Sequence, residues 1–192
     1  MTNRITGPFI AFFIIVGIGV LSPLFVERFS RKPLPQLGVA PSFALTDSTG
    51  SLFSSDKLKN RIWITSFFFT SCEGPCPLMN AELAKLHQAV KARGDVHLVS
   101  ISVDPARDVP SALANYAEKH NADITTWHFL TGDKETVKDI GVQGFKVGSG
   151  DDALLHTTRF ILVDREGKIR GYYLGTDQSD VEKLKRDLAS LW

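Results

Sequence analysis

The sequence predicts an α/β domain, a sheet covered by helices on both faces, carried behind an N-terminal membrane-spanning helix. Three observations predict it. Apolar strand-like runs alternate with segments of helical spacing; the run from Ile62-Trp63-Ile64 to Phe67-Phe68-Phe69 suits a strand covered on both faces; and a long charge-free stretch opens the chain. With 192 residues and 43 % apolar content there is room for one domain with a real core and a short appendage.

From Ile5 to Val26 no residue is charged, and Phe9 to Val16 is dense in side chains that partition into hydrocarbon. At about 1.5 Å per residue this stretch reaches roughly 33 Å, against a bilayer core of about 30 Å. No small-x-small cleavage pattern and no lipid-acceptor cysteine follow it, which favours an uncleaved anchor over a cleaved secretory signal. Residues 1–4 are then a cytoplasmic tail, 5–26 the anchor and 27–37 a linker stiffened by Pro33 and Pro35. Flanking charges alone, Arg4 on one side and Arg28, Arg31 and Lys32 on the other, partly offset by Glu27, lean towards a cytoplasmic domain.

The folded domain is expected over 38–192. Phe43 to Asp47 and Ser51 to Phe53 flank the turn-rich Ser48-Thr49-Gly50 and read as a hairpin. A buried strand over 61–69 leads through Cys72 to Pro77 into a helix, with Leu78, Met79, Leu83, Leu86 and Val90 as its apolar stripe and Gly94 as its stop. A second strand spans Val96 to Val103, and a second helix Pro110 to His120 with Asp108 as its expected cap. Trp127 to Leu130 is a third strand and Lys134 to Ile140 a third helix. Arg159 to Val163 and Ile169 to Tyr173 form a hairpin around Arg165-Glu166-Gly167, and Asp180 to Leu191 closes the chain as a helix. Strands and helices that alternate and then give way to a hairpin and a helix follow the order of a thioredoxin-like sheet.

Composition excludes some functions. With 22 basic and 21 acidic side chains the formal charge is +1, and no Lys/Arg run is long enough to track phosphates, so nucleic acid is not an expected partner. The two cysteines lie four residues apart, and a bond between them would close a loop too short to brace the fold. Reactivity or metal ligation is the expectation. Cys72-Glu73-Gly74-Pro75-Cys76-Pro77 follows a buried strand and opens a helix, where unpaired N–H groups and the helix dipole favour thiolate. Glu73 reads as a solvated loop carboxylate, and none of His87, His97, His120 and His128 as a ligand.

The Cys-x-x-x-Cys-Pro motif resembles the signature of the Sco/SenC family, and the likeness runs from about Pro41 to the carboxyl end. Phe67-Phe68-Phe69-Thr70, Ser102-Val103-Asp104-Pro105-Ala106-Arg107-Asp108 and His156-Thr157-Thr158-Arg159-Phe160-Ile161-Leu162-Val163-Asp164 match that family's pattern in order. The resemblance implies a thioredoxin-like fold of the peroxiredoxin-like subtype. It also implies one copper ion per chain, Cu(I) or Cu(II), with Cys72 and Cys76 as sulfur ligands and His156 as nitrogen ligand. Two thiolates suit Cu(I) and an added imidazole also admits Cu(II), whereas a closed structural zinc site would need a fourth ligand. Asp104 and Asp108 are expected near the same sheet edge, either in a second shell around the metal or as turn and cap residues.

The family likeness further implies help in assembling the copper A centre of cytochrome c oxidase. The partners would be the oxidase's copper-bearing subunit or another copper acceptor, and a copper donor or thiol reductase. The domain would project from a bacterial inner membrane on the periplasmic side. A thiol–disulfide oxidoreductase is the alternative, with Cys72 and Cys76 as a redox-active pair. Against it, the added residue lengthens the thioredoxin-type Cys-Gly-Pro-Cys loop, and no proline follows Pro110, so the usual cis-proline opposite the cysteines is replaced by Thr157 and Thr158. A peroxiredoxin-type peroxidase is excluded, since Phe69, not threonine, stands three residues before Cys72, and Glu73 three before Cys76.

Overall fold

Short apolar runs separated by helical spacing fold into eight strands and four α-helices over the described residues, 33–148 and 157–192, of this computed structural model. Strands β1 (Gly38–Val39), β2 (Ala44–Asp47) and β3 (Leu52–Ser54) precede β4 (Ile62–Phe68). Helix α1 (Cys76–Val90), β5 (Val96–Ser102), helix α2 (Pro110–Lys119) and β6 (Trp127–Thr131) follow. Helix α3 (Lys134–Asp139) runs on into a wide π-type turn over Ile140–Gly144, and β7 (Arg159–Val163), β8 (Lys168–Leu174) and helix α4 (Gln178–Ser190) complete the chain. The expected anchor over 5–26, the linker up to Lys32 and His156 lie outside the described residues. Among the described residues no helix is long and apolar enough to cross a membrane.

All eight strands join one sheet in the order β1-β8-β7-β4-β5-β6-β2-β3. Every residue of β4 is buried, as its apolar run requires of a strand with packing on both faces. It pairs in parallel with β5, which pairs in parallel with β6, while β7 lies antiparallel on its other side with Thr65 opposite Ile161. The β2–β3 hairpin is the one expected, and it joins the sheet through β2 against β6. β1 was not foreseen: two residues pair with β8, and Arg170 Nη1 donates to the Leu34 carbonyl at 2.9 Å, drawing the entering chain onto the sheet. The same guanidinium is held by Asp164, whose other oxygen accepts the amides of Glu166 and Lys168 in the β7–β8 turn.

The side chains sort into two layers by strand alternation. One face packs Ile62, Ile64, Leu98, Phe129 and Leu162 under α1, α2 and α4; the other packs Trp63, Phe67, Val99, Ile101 and Ile161 under α3, Phe145 and the β2–β3 hairpin. Helices therefore cover both faces, as expected. On α1 the buried stripe is Met79, Leu83, Leu86 and Val90, spaced 4, 3 and 4 residues, while Leu78 is 51 % exposed. Leu78 was expected on the stripe; one residue earlier than Met79 means about 100° around the helix, which turns it to solvent. Gly94 stops the helix in the left-handed conformation (φ 67°) after a short 3₁₀ extension.

At the sheet end opposite the cysteine loop, His97 Nδ1 and His128 Nε2 hydrogen-bond at 3.0 Å, their rings 15° from parallel, and the Phe53 ring covers His128 at 4.5 Å. Burial holds the His128 imidazole down to about 4, with the charges of His97 and Lys57 acting in the same direction and Asp47 and Asp123 opposing. Burial lowers His97 too. The unfolded chain takes up a proton near pH 6.5 and the folded His128 only near 4, so the contribution is full above pH 6.5 and is lost as pH falls towards 4. Urea unfolding of the full chain across that window should show a loss of up to about 3 kcal/mol, at about 1.4 kcal/mol per pH unit. His128→Leu should flatten the profile, and an unchanged pH slope in that variant would refute the assignment.

Candidate metal and thiol site

The site begins where β4 runs out. Phe69 and Thr70 are half-buried, and the Cys72 amide donates to the Phe69 carbonyl at 3.2 Å, turning the chain back towards the sheet. Cys76 is the first residue of α1, followed by Pro77, which suits a first turn where an N–H has no partner to lose. Pro75 stands at the N-cap and makes no side-chain cap bond, so the helix start stays open. Both cysteines are free; Cys72 is half-buried, Cys76 is buried, and the Cys72 thiol is near enough to act on that of Cys76.

The expected thiolate character is not what this setting gives Cys76. Burial pushes its thiol up to about 12, the hydrogen bond and charge of Cys72 add to the rise, and backbone hydrogen bonds at Phe69 and Cys76 only partly oppose it. Desolvation outweighs the helix dipole because the sulfur lies below the helix start, in the apolar layer with Phe68, Met79 and Phe160.

Asp108 was expected as the cap of α2 or in a second shell. It does not cap the helix: Val109 holds that position without a side-chain bond. Asp108 is fully buried and accepts from the Thr70 amide (3.0 Å), the Thr70 hydroxyl (2.5 Å) and the Ser102 hydroxyl (2.5 Å). Its carboxylate thus ties the ends of β4 and β5 together two residues before Cys72. Asp104 is half-buried; its amide donates to Ser102 Oγ at 3.1 Å and its carboxylate pairs with the exposed Arg107 at 3.2 Å. Glu73 is exposed, as expected.

β7 reaches this edge from the other side. Continuing the antiparallel register from Thr65 opposite Ile161 sets Phe68 opposite Thr158, and the Thr158 carbonyl accepts from the Gly175 amide at 2.7 Å. Phe160 shares the apolar layer with Cys76, and a Cβ on Gly175 would stand 2.7 Å from the Phe160 ring and 3.1 Å from Met79 Cγ, so β7, β8 and α1 meet tightly here. The strand that follows His156 therefore starts at the cysteine edge. Among the described residues no group of three or more His, Cys, Asp or Glu side chains is arranged to hold a metal, and the two adjoining thiols are the soft donors they supply.

The SCO1/SenC family model matches residues 32–192. The chain belongs to the SCO1/SenC family. The SCO1 protein homolog of Bacillus subtilis (strain 168) is 31 % identical over 154 residues, covering 77 % of this chain and 80 % of its own. The solved structure of BsSco, a member of the Sco family of cytochrome c oxidase assembly proteins in which a disulfide switch was identified, is 29 % identical with a TM-score of 0.71, over 83 % of this chain and 98 % of that one. Bradyrhizobium japonicum ScoI with copper bound is 25 % identical with a TM-score of 0.63, over 78 % and 99 %.

In this SCO1/SenC member the other four histidines have their ring contacts and hydrogen bonds away from the two sulfurs. His87 Nε2 meets Thr126 Oγ1 at 3.0 Å, His97 and His128 pair with each other, and the His120 ring lies tilted against those of Tyr116 and Trp127. Sequence reasoning missed four residues that build the site. Thr70 and Ser102 are small polar residues at the ends of apolar strands. Asn80 is a polar residue on the buried stripe of α1, 1 % exposed, and its amide donates to Tyr116 Oη at 2.8 Å. Tyr116 packs its ring on Phe68 at 5.2 Å, and burial followed by the charge of Cys76 pushes its phenol up to about 12.

Asp108→Ala should leave three donors without an acceptor at the strand ends. The expected cost is about 2–4 kcal/mol in urea unfolding, together with faster hydrogen exchange at the Thr70 and Val103 amides than in β8. Uniform exchange across the sheet would show that Asp108 does not hold the cysteine loop.

Proposed function

We propose that this chain is a copper metallochaperone of the Sco type, holding one copper ion, Cu(I) or Cu(II), through Cys72, Cys76 and His156. The observation that carries the proposal is the pair of free, neighbouring thiols at the sheet edge where the strand following His156 begins. The copper-bound ScoI relative supports it, and so does the softness of the donors. Copper displaces the thiol protons; two thiolates then neutralise Cu(I) with one negative charge to spare, and an imidazole completes a three-coordinate set that leaves a side open for an incoming ligand. Asp108 would act through Thr70, fixing where the loop presents its sulfurs.

The acceptor in this reading is the copper-bearing subunit of cytochrome c oxidase, for its copper A centre, in line with the oxidase-assembly role named for BsSco. Residues 5–26 would anchor the chain in a bacterial inner membrane, 27–37 would tether it, and 38–192 would work on the periplasmic side. A thiol–disulfide exchange role draws on the same thiol contact: Cys72 and Cys76 would lose two protons and two electrons to form a disulfide, and the electrons would reduce an acceptor disulfide to two thiols.

Anaerobic Cu(I) titration of the reduced, detergent-solubilised full chain against a competing chelator separates the two. One tight equivalent is expected, abolished by the double Cys72→Ser/Cys76→Ser change. His156→Ala should weaken it by at least ~10-fold, a loss that even outer ligand partners produce. If no copper is held in competition while the same protein reduces a disulfide substrate, the chaperone reading fails and the reductase stands.

A further inference from the structure

The end of the sheet opposite the cysteine loop carries a surface that the copper chemistry does not use. The chain enters the fold there, because the Arg170 guanidinium donates both to the Leu34 carbonyl at 2.9 Å and to Asp164, which follows β7, at 2.6 Å. At the same end Arg93 and Arg165 share the one carboxylate of Asp95, at 3.3 and 2.6 Å, and Arg61 donates to the uncharged Gly94 carbonyl at 3.1 Å. Three guanidinium groups thus gather about one carboxylate, while Lys59 with Asp56, Lys168 with Glu166 and Lys91 with Asp123 offset one another. Arg165 also donates to the Leu191 carbonyl, which brings Trp192 to this cluster. Trp192 is 53 % exposed, with the Arg93 guanidinium 4.2 Å from its ring centre. Leu37, whose amide donates to the Ile169 carbonyl near the start of β8, and Ile124, ahead of β6, are exposed at this end too. A tryptophan with an arginine on its face, exposed aliphatic side chains and cations in excess are what a bilayer's headgroup layer receives: an amphipathic ring settles with one side apolar and the other wet, and anionic phosphates attract Lys and Arg.

We infer that this face, centred on Trp192 and Arg93, rests on an anionic phospholipid surface and so turns the cysteine edge, at the other end of the sheet, away from the bilayer. The inference rests on the reading of residues 5–26 as an anchor. An anchor with a tether holds the domain near the membrane in any orientation; a lipid-binding face at the end where the chain enters selects the one in which the thiols are open to an incoming protein.

Trp192 reports on the test directly, because the other two tryptophans, Trp63 and Trp127, are buried and none lies in the expected anchor. The full chain is reconstituted into vesicles of phosphatidylcholine alone, and of phosphatidylcholine and phosphatidylglycerol in equal parts, each with brominated acyl chains, and the emission of the Trp192→Phe variant is subtracted. Bromine quenches an indole only at close contact. Strong quenching of the Trp192 emission is expected with phosphatidylglycerol, and its loss in about 1 M salt, where the screening length is about 3 Å. Arg61→Gln/Arg93→Gln should lower the ratio of seated to free domain by about fivefold for each cation removed, while the emission of Trp63 and Trp127 shows that the variant is folded. Trp192 emission untouched by bromine in both vesicles would overturn the inference and give this face to a protein partner. Quenching that is equal in the two compositions and indifferent to salt would overturn the anionic surface. Flotation separates this result from the anchor: an anchored chain rises with both kinds of vesicle at either salt concentration. A chain that rises only with phosphatidylglycerol and is released by salt sinks the anchor and keeps the face; one that rises with neither sinks both.

Discussion

The placement of β4 between β5 and β7 is the constraint on which the rest of the site depends. A strand with all seven residues buried has to be paired on both edges and covered on both faces. Parallel pairing with β5 brings the ends of β4 and β5 together, and antiparallel pairing with β7 brings the beginning of β7 to the same place. Segments far apart in the chain, at Cys72, Asp104 and Thr157, thereby open on one edge of the sheet. No contact among these loops is needed to explain their meeting, because the hydrogen-bond ladder imposes it. The loops are free to carry chemistry for that reason.

The edge is also where the sheet has to satisfy its last polar groups, and Asp108 does so from inside the fold. Its three hydrogen bonds join Thr70, which leaves β4, to Ser102, which ends β5. A carboxyl group this deeply buried is tolerable only when its oxygens are well supplied with donors, so removing a donor costs more than the bond itself is worth. A device of that kind has one arrangement with every group satisfied, and Cys72, only two residues beyond Thr70, inherits its position. Arg170 and Asp164 play the matching part at the other end, fixing the entering chain and the β7–β8 turn with one guanidinium.

The strands and helices were legible because their apolar residues repeat with the period of the element. The buried run of β4, the stripe of α1 and the Gly94 stop all read directly from the chain, and the cysteine motif read as a reactive pair from its place after a strand. Leu78 was misplaced because an apolar run at a helix start does not reveal which of its members begins the stripe. The cap reading of Asp108 failed because Asp before a helix caps it in most settings; its partner Thr70 is 38 residues away and is reached only through the β4–β5 register. Asn80 and Tyr116 are 36 residues apart and were silent for the same reason. A polar residue on an otherwise apolar helical stripe, one turn after the cysteine that opens it, was the signal that could have singled out Asn80. His97 and His128, polar residues inside strand-like runs, find each other across neighbouring strands, an outcome the alternation allows but does not specify.

The raised thiol of Cys76 follows from the same architecture. The groups acting on it are burial, the neighbouring Cys72 and backbone hydrogen bonds; none is a cation. A fixed lysine or arginine beside the sulfur would hold it as thiolate at all times, ready for attack and equally ready for oxidation. With burial and Cys72 outweighing the backbone hydrogen bonds, the sulfur stays a neutral thiol until something positive arrives to replace its proton. A soft monovalent cation does this at small electrostatic cost, because it brings its charge into the site at the moment the proton leaves. In the proposed copper site the fold therefore supplies geometry and desolvation, while the metal supplies the charge that makes Cys76 an anion. Such a ligand gives the ion up again when an acceptor's own thiolates replace it and the proton returns, so an arrangement poor in fixed positive charge suits passing a metal on better than retaining it.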